Sequence, residues 1–373
     1  MKKMIDPPLR LLLVAGARPN FMKIAPLINS IDKANREREA GRRIDYRLIH
    51  TGQHYDVNMS RVFFRELRLP RPHVNLGVGS GSHAVQTAGI MCAFEPVCLR
   101  EKPDWVVVVG DVNSTLACTI VASKLRFKVA HIEAGLRSFD RSMPEEINRV
   151  VTDRLADLLL TPSSDANANL LREGVPRSKI RLVGNIMIDS LVNHAPLAAR
   201  SRLPRRLGLK RKEFVYVTLH RPANVDDEQT LRSIAGELSR LATRCPVVFP
   251  IHPRTCKMLQ RYRIDLKSGQ GVLLLDPIGY LDSLWLTQNA SFILTDSGGL
   301  QEESTYFRTP CLTLRPNTER PITIKLGTNK LTSPATLGAD IEAILRGHRP
   351  DGKIPRYWDG RTADRILELL RAG

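Results

Sequence analysis

Asp111, Glu133 and Glu145 are three carboxylates whose settings suit proton transfer. Asp111 follows the apolar run Trp105 to Val109, and Glu133 follows Val129 to Ile132 in a stretch that also holds His131, Gly135 and Arg137. Glu145 stands directly after Pro144, with Glu146, Asn148 and Arg149 behind it. Acid and base steps on one substrate need one group poised to accept a proton and another to donate one, a difference made by burial and unequal neighbours. Pro144 suits a first helical turn, on which Glu145, Asn148 and Arg149 share a face at offsets of three and four. In that arrangement Arg149 steadies Glu145. The same spacing also describes an ordinary helix N-terminus at which Glu145 and Glu146 pair with Arg149.

A second set of residues is suited to anions. Gly16-Ala17-Arg18-Pro19-Asn20 ends the apolar run Leu11 to Ala15, with Lys23 one turn on. Arg18 and Lys23 then sit where an anion meets free amides at a helix start. Thr51-Gly52-Gln53-His54 ends the next run, and His220-Arg221 ends Phe214 to Thr218. Asp296-Ser297-Gly298-Gly299, followed by Gln301, Glu302 and Glu303, can expose consecutive amides to phosphate and bring a carboxylate to a ribose diol. Thr318-Glu319-Arg320-Pro321 adds a further cation. The His50–His54 pair straddles a strand end rather than a helix face, and there is no HExxH, so a catalytic metal is not suggested. Neither GxGxxG nor a Walker motif is present.

These residues need strand ends to hold them. Short β-rich runs at 11–15, 46–49, 105–109, 129–132 and 158–160 alternate with helix-compatible stretches, the pattern of a parallel sheet covered on both faces. The pattern breaks at 193–212 and resumes at 214–218, 247–249, 272–275, 292–294 and 311–314. A chain of 373 residues exceeds the roughly 250–300 at which single cores divide. The expectation is an α/β protein with a domain at 1–195 carrying most of the carboxylates and a domain at 196–355 binding the anion. A C-terminal helix at 356–373 is expected to pack back on the first domain. In parallel sheets the carboxyl ends of strands converge on one edge, where ligands bind.

A formal charge of +18 admits nucleic acid, an anionic surface or an acidic small substrate. The clusters 200–212 and 257–267 hold one aromatic, Tyr262, and no nucleic-acid module, which favours the small anionic substrate. The six scattered cysteines fit reduced thiols in a cytoplasmic protein, and no stretch reaches the length of a bilayer span.

Taken in order, GARPNFMK (16–23), TGQH (51–54), GD (110–111), HIEAGLRS (131–138), PEEINR (144–149), HR (220–221), TDSGGLQEE (295–303) and TERP (318–321) closely resemble the non-hydrolysing UDP-N-acetylglucosamine 2-epimerases over nearly the whole chain. The resemblance implies a GT-B-like fold, two Rossmann-like domains with parallel sheets facing a central cleft, usually as a homodimer. It implies reversible interconversion of UDP-N-acetylglucosamine and UDP-N-acetylmannosamine through elimination and re-addition of UDP, with no nicotinamide cofactor or obligatory metal. Asp111, Glu133 and Glu145 match the catalytic carboxylates, and His220 assists at the pyrophosphate. Arg18, Lys23, His54, Arg149, Ser297, Gly298, Gly299, Glu303 and Arg320 are the candidate substrate-binding residues, Glu303 matching the ribose carboxylate.

The chain departs from the family where GARPN replaces GTRPE and where His220-Arg221-Pro222-Ala223-Asn224 replaces HRxEN. Gln53-His54-Tyr55-Asp56 replaces the Gln-His-x-Gln of relatives that bind a second substrate molecule, so that mode is expected to be absent or altered. The stretches 51–67 and 76–83 also resemble relatives acting on modified UDP-2-acetamido sugars such as UDP-2,3-diacetamido-glucuronic acid. The remaining alternatives are a GT-B glycosyltransferase, which would not exchange the sugar C2 hydrogen, and a non-catalytic nucleotide-sugar-binding protein.

Overall fold

The apolar runs form two all-parallel sheets, each in its own compact unit. The computed structural model describes residues 7–37, 43–52, 69–266 and 271–373. The first unit is Met1–Ser190 with Arg356–Gly373, and the second is Leu191–Pro355. The chain leaves the first unit inside the helix Ile186–Ala198.

The first sheet holds β1 (Leu9–Ala15), β2 (Ile44–His50), β3 (Val74–Asn75), β4 (Trp105–Val109), β5 (Lys128–Ile132), β6 (Leu158–Thr161) and β7 (Ile180–Leu182) in the order β3-β2-β1-β4-β5-β6-β7. The second holds β8 (Val215–Thr218), β9 (Val247–Pro250), β10 (Val272–Leu275), β11 (Phe292–Thr295), β12 (Cys311–Leu314) and β13 (Asn329–Thr332) in the order β10-β9-β8-β11-β12-β13. All five residues of β4 and all four of β11 are buried, because helices cover both faces of a parallel sheet. Leu12, Val106, Val108 and Val129 share one core with Ile90, Phe94 and Val121; Val215, Phe249 and Leu294 share the other with Leu231, Ile234 and Leu238.

Both orders are Rossmann-like and reverse direction once, between β1 and β4 in one unit and between β8 and β11 in the other. At such a switch point the loops leaving neighbouring strands diverge to opposite faces and open a crevice at the strand ends. The sequence alone did not indicate β3, β7 or β13, which are short or mix polar with apolar residues.

The C-terminal helix Thr362–Ala372 packs on the helix Arg18–Arg36 within the first unit and buries Ile366, Leu367 and Leu370. Trp358 Nε1 donates to the Pro162 carbonyl at 2.9 Å, and the Ala363 amide donates to Asp189 at 2.7 Å.

Candidate active site

The switch point of the first sheet gathers the candidate acids. Gly16 leaves β1 against Ser114, and a Cβ on Gly16 would lie 2.1 Å from Ser114 Oγ, so close approach requires glycine there. Asn20 then organises the loop. Its Oδ1 accepts from the amides of Gly16 (3.2 Å) and Ala17 (2.9 Å), while its Nδ2 donates to the Val109 carbonyl at the end of β4 (3.0 Å). A glutamate in the family's position could supply no donor to that carbonyl, so the departure at Asn20 exchanges a charge for a neutral clasp across the switch point. Arg18 opens the helix Arg18–Arg36, and its side chain lies outside the described residues.

Lys23, on the same helix, is 8% exposed and forms an ion pair with Glu133, which is 5% exposed. Its ammonium is therefore engaged by a carboxylate. The pairing occupies Glu133 Oε2; Glu133 Oε1 is buried and accepts no hydrogen bond from the described residues. A buried carboxylate oxygen with open lone pairs is what a proton acceptor requires.

Asp111 follows β4 with about a third of its side chain exposed, and Arg149 Nη2 reaches its Oδ2 at 2.6 Å. Arg149 Nη1 reaches Glu146 at 2.6 Å, so Arg149 pairs with Asp111 and with Glu146, the second of the two helix-start carboxylates the spacing offered it. Glu146 is drawn inward because its carboxylate also accepts from the amides of Ser138 (2.9 Å) and Phe139 (3.0 Å). Glu145 is left half-buried in the first turn of the helix Pro144–Leu155. Asn148 Nδ2 donates to the Asp111 carbonyl at 2.8 Å. Gln53 and His54 lie outside the described residues.

In the second unit, His220 follows β8 and Asp296 follows β11, on either side of the switch point. Asp296 is fully buried and its carboxylate is the hub: His220 Nδ1 lies 2.8 Å away, and the amides of His220 and Arg221 and the Asn224 side chain donate to it at 2.8–3.2 Å. Burial opposes ionisation of Asp296, but these donors outweigh it and hold the carboxyl below its usual value. His220 is thereby oriented with its ring partly exposed. Asn224 survives the HRxEN departure as a brace, while Ala223 sits exposed.

Ser297 is the residue before the helix Gly298–Phe307, so its address at a strand end and helix start stands. Arg320 reaches Glu302 at 2.7 Å and also pairs with Glu319, and it lies close enough to Gly298 that a Cβ there would meet Arg320 Nη1 at 2.7 Å. Gly299 has open space around it. Glu303 is 5% exposed.

Asp296 and His131 stand inside the motifs above without a role assigned to them there, and Asp153 and His252 lie outside those motifs. His252 lies two residues past β9, with its ring centroid 5.7 Å from that of His220, and burial, then the His220 charge, lowers its pKa. The available signal was address: each lies on or just past a strand end or on a helix facing one. Among the described residues no three His, Cys, Asp or Glu side chains gather as a metal site requires, and no helix is long and apolar enough to cross a membrane.

Residues 36–371 match the family model for UDP-N-acetylglucosamine 2-epimerase. A UDP-N-acetylglucosamine 2-epimerase from Methanocaldococcus jannaschii is 42% identical over 98% of this chain and 100% of its own length. Its crystal structure in complex with UDP-GlcNAc and UDP superposes with a TM-score of 0.86 at the same 42% identity, covering 98% of this chain and 100% of that one. A UDP-2,3-diacetamido-2,3-dideoxy-D-glucuronate 2-epimerase from Pseudomonas aeruginosa is 40% identical over 97% of this chain and 99% of its own. Matched from end to end by such relatives, and carrying its acids and oriented histidine at the switch points of two Rossmann-like sheets, the chain belongs to the UDP-N-acetylglucosamine 2-epimerase family.

Proposed function

We infer that this chain is a non-hydrolysing 2-epimerase that interconverts UDP-N-acetylglucosamine and UDP-N-acetylmannosamine, without a nicotinamide cofactor or an obligatory metal. Removal of the C2 proton accompanies loss of UDP, giving 2-acetamidoglucal; protonation of C2 on the opposite face and re-addition of UDP give the epimer. The observation that carries the chemical half is Glu133, buried, with one oxygen on Lys23 and the other open. Asp111, Glu133 and Glu145 supply the acid and base groups, and the Asp296-oriented His220 assists at the pyrophosphate. Arg18, Lys23, His54, Arg149, Ser297, Gly298, Gly299, Glu303 and Arg320 bind or organise the UDP-sugar. A homodimer is part of this reading, and sedimentation equilibrium that returned only monomer would reject that part alone.

The test uses purified enzyme and UDP-N-acetylglucosamine in deuterated water, with nuclear magnetic resonance following C2. The recovered 2-epimer is expected to carry deuterium at C2; epimerisation without C2 exchange would overturn the elimination chemistry. The Pseudomonas relative favours a second reading, C2 epimerisation of UDP-2,3-diacetamido-glucuronate. Turnover of that sugar in place of UDP-N-acetylglucosamine would decide for it.

A further inference from the structure

Asp153, on the helix Pro144–Leu155, is 2% exposed and lies behind the loops that carry Asp111 and Glu133. Its Oδ1 is 2.6 Å from His131 Nδ1. Its Oδ2 accepts from the Gly135 amide at 3.0 Å and lies 2.7 Å from Arg137 Nη1. The other ring nitrogen of the fully buried His131, Nε2, is 2.8 Å from the Gly110 carbonyl oxygen.

Both ring nitrogens of His131 thus face acceptors. Burial opposes ionisation of Asp153, but His131 and Arg137 outweigh it and hold the carboxyl below its usual value. The His131 ring thus bridges the Asp153 carboxylate to the backbone of Gly110. Arg137 is held in turn by two 2.8 Å bonds to Glu173, so its buried guanidinium is set against two carboxylates, as a buried charge demands.

We propose that His131 and Asp153 form a buried brace that positions Asp111 and Glu133 for the reaction. One end of the brace grips the carbonyl of Gly110, the residue before Asp111. The other grips the amide of Gly135, two residues after Glu133. Glu133 and Gly135 have φ of 70° and 80°, and left-handed backbone at a glutamate persists only where the surroundings impose it. The brace imposes it. The helix supplying Asp153 also supplies Glu145, so the three candidate acids share one support.

The functional half of this proposal rests on the epimerase reading; the bracing does not. In Asp153→Asn, hydrogen–deuterium exchange is expected to show lost protection across residues 133–139 with protection of β11 unchanged, and unchanged protection at 133–139 overturns the brace. The same variant is expected to lose about 10- to 100-fold in kcat with KM within about threefold, the signature of misplaced rather than missing groups. Unchanged kcat refutes the positioning role. Where Asp153→Asn does not fold, His131→Gln, which keeps a donor for Gly110, is read for the same kcat-against-KM split. If the unaltered enzyme leaves UDP-N-acetylglucosamine untouched, the epimerase reading fails while the exchange measurement still decides the brace.

Discussion

Burial, and then the adjoining Glu302 carboxylate, pushes Glu303 up to about 8, with the Tyr280 hydroxyl opposing the shift. A carboxyl raised above its unfolded value of 4.5 contributes stability that is fully present below about pH 4.5 and is lost as pH rises through about 8. The ligand-free enzyme is therefore expected to melt lower at pH 9 than at pH 6. Glu303→Gln, which cannot ionise, should narrow that gap by an amount on the order of a few kcal/mol. An equal gap in both proteins would refute the assignment. At the ribose, the same variant is expected to weaken UDP binding more than turnover at saturation; lost turnover at unchanged affinity would contradict a binding role. The sequence placed Glu303 one turn into a helix after a strand, but not its burial beside Tyr280, which lies on a different helix. Asp296 shows the same limit. Its partner His220 is 76 residues away, and no local pattern announces a contact across two strands.

The elements most legible in sequence were the continuous apolar strands, and their ends carry the candidate site. What a strand end does then depends on its neighbour. The Asn20 side chain is the case in point, since its Oδ1 caps the loop after β1 and its Nδ2 holds the end of β4. Asn20→Asp keeps the shape but turns a carboxylate oxygen on the Val109 carbonyl. The expected cost is about 1–3 kcal/mol, read as a Tm lower by several degrees. An unchanged Tm would mean that the clasp across the switch point carries no weight. Arg149 shows the complementary case: spacing correctly gave it an acidic partner on its own helix, but Glu146 at offset three won over Glu145 at offset four. The amides of Ser138 and Phe139 decided that by drawing Glu146 inward, and they belong to a loop the helical period does not describe.

At the scale of the molecule, the first unit is completed by the end of the chain. Trp358 is 2% exposed and donates to Pro162 across 196 residues, and Gly184 passes so close that a Cβ would lie 2.1 Å from the Tyr357 carbonyl oxygen. Asp189 caps the returning helix through the Ala363 amide. Trp358→Ala is expected to cost about 3–5 kcal/mol by removing a large buried ring and stranding a carbonyl acceptor. A calorimetric scan should show the loss in the first unit; a Tm within a degree of the parent would show that the return of the chain does not stabilise it.

From the sequence alone came the parallel α/β character, the two series of strands, the residues at their ends and the family, because each is written in short-range pattern or in motif order. The tertiary structure alone decided which of those residues touch. It joined Lys23 to Glu133, Asp111 to Arg149, His220 to Asp296 and Asp153 to both His131 and Gly135. It also located the two sheet reversals, since strand order is set by how crossover helices pack and not by the strands' own residues. The physical reason is the same throughout: a side chain's chemistry is local, but its burial and its partner are properties of packing between segments far apart in the chain.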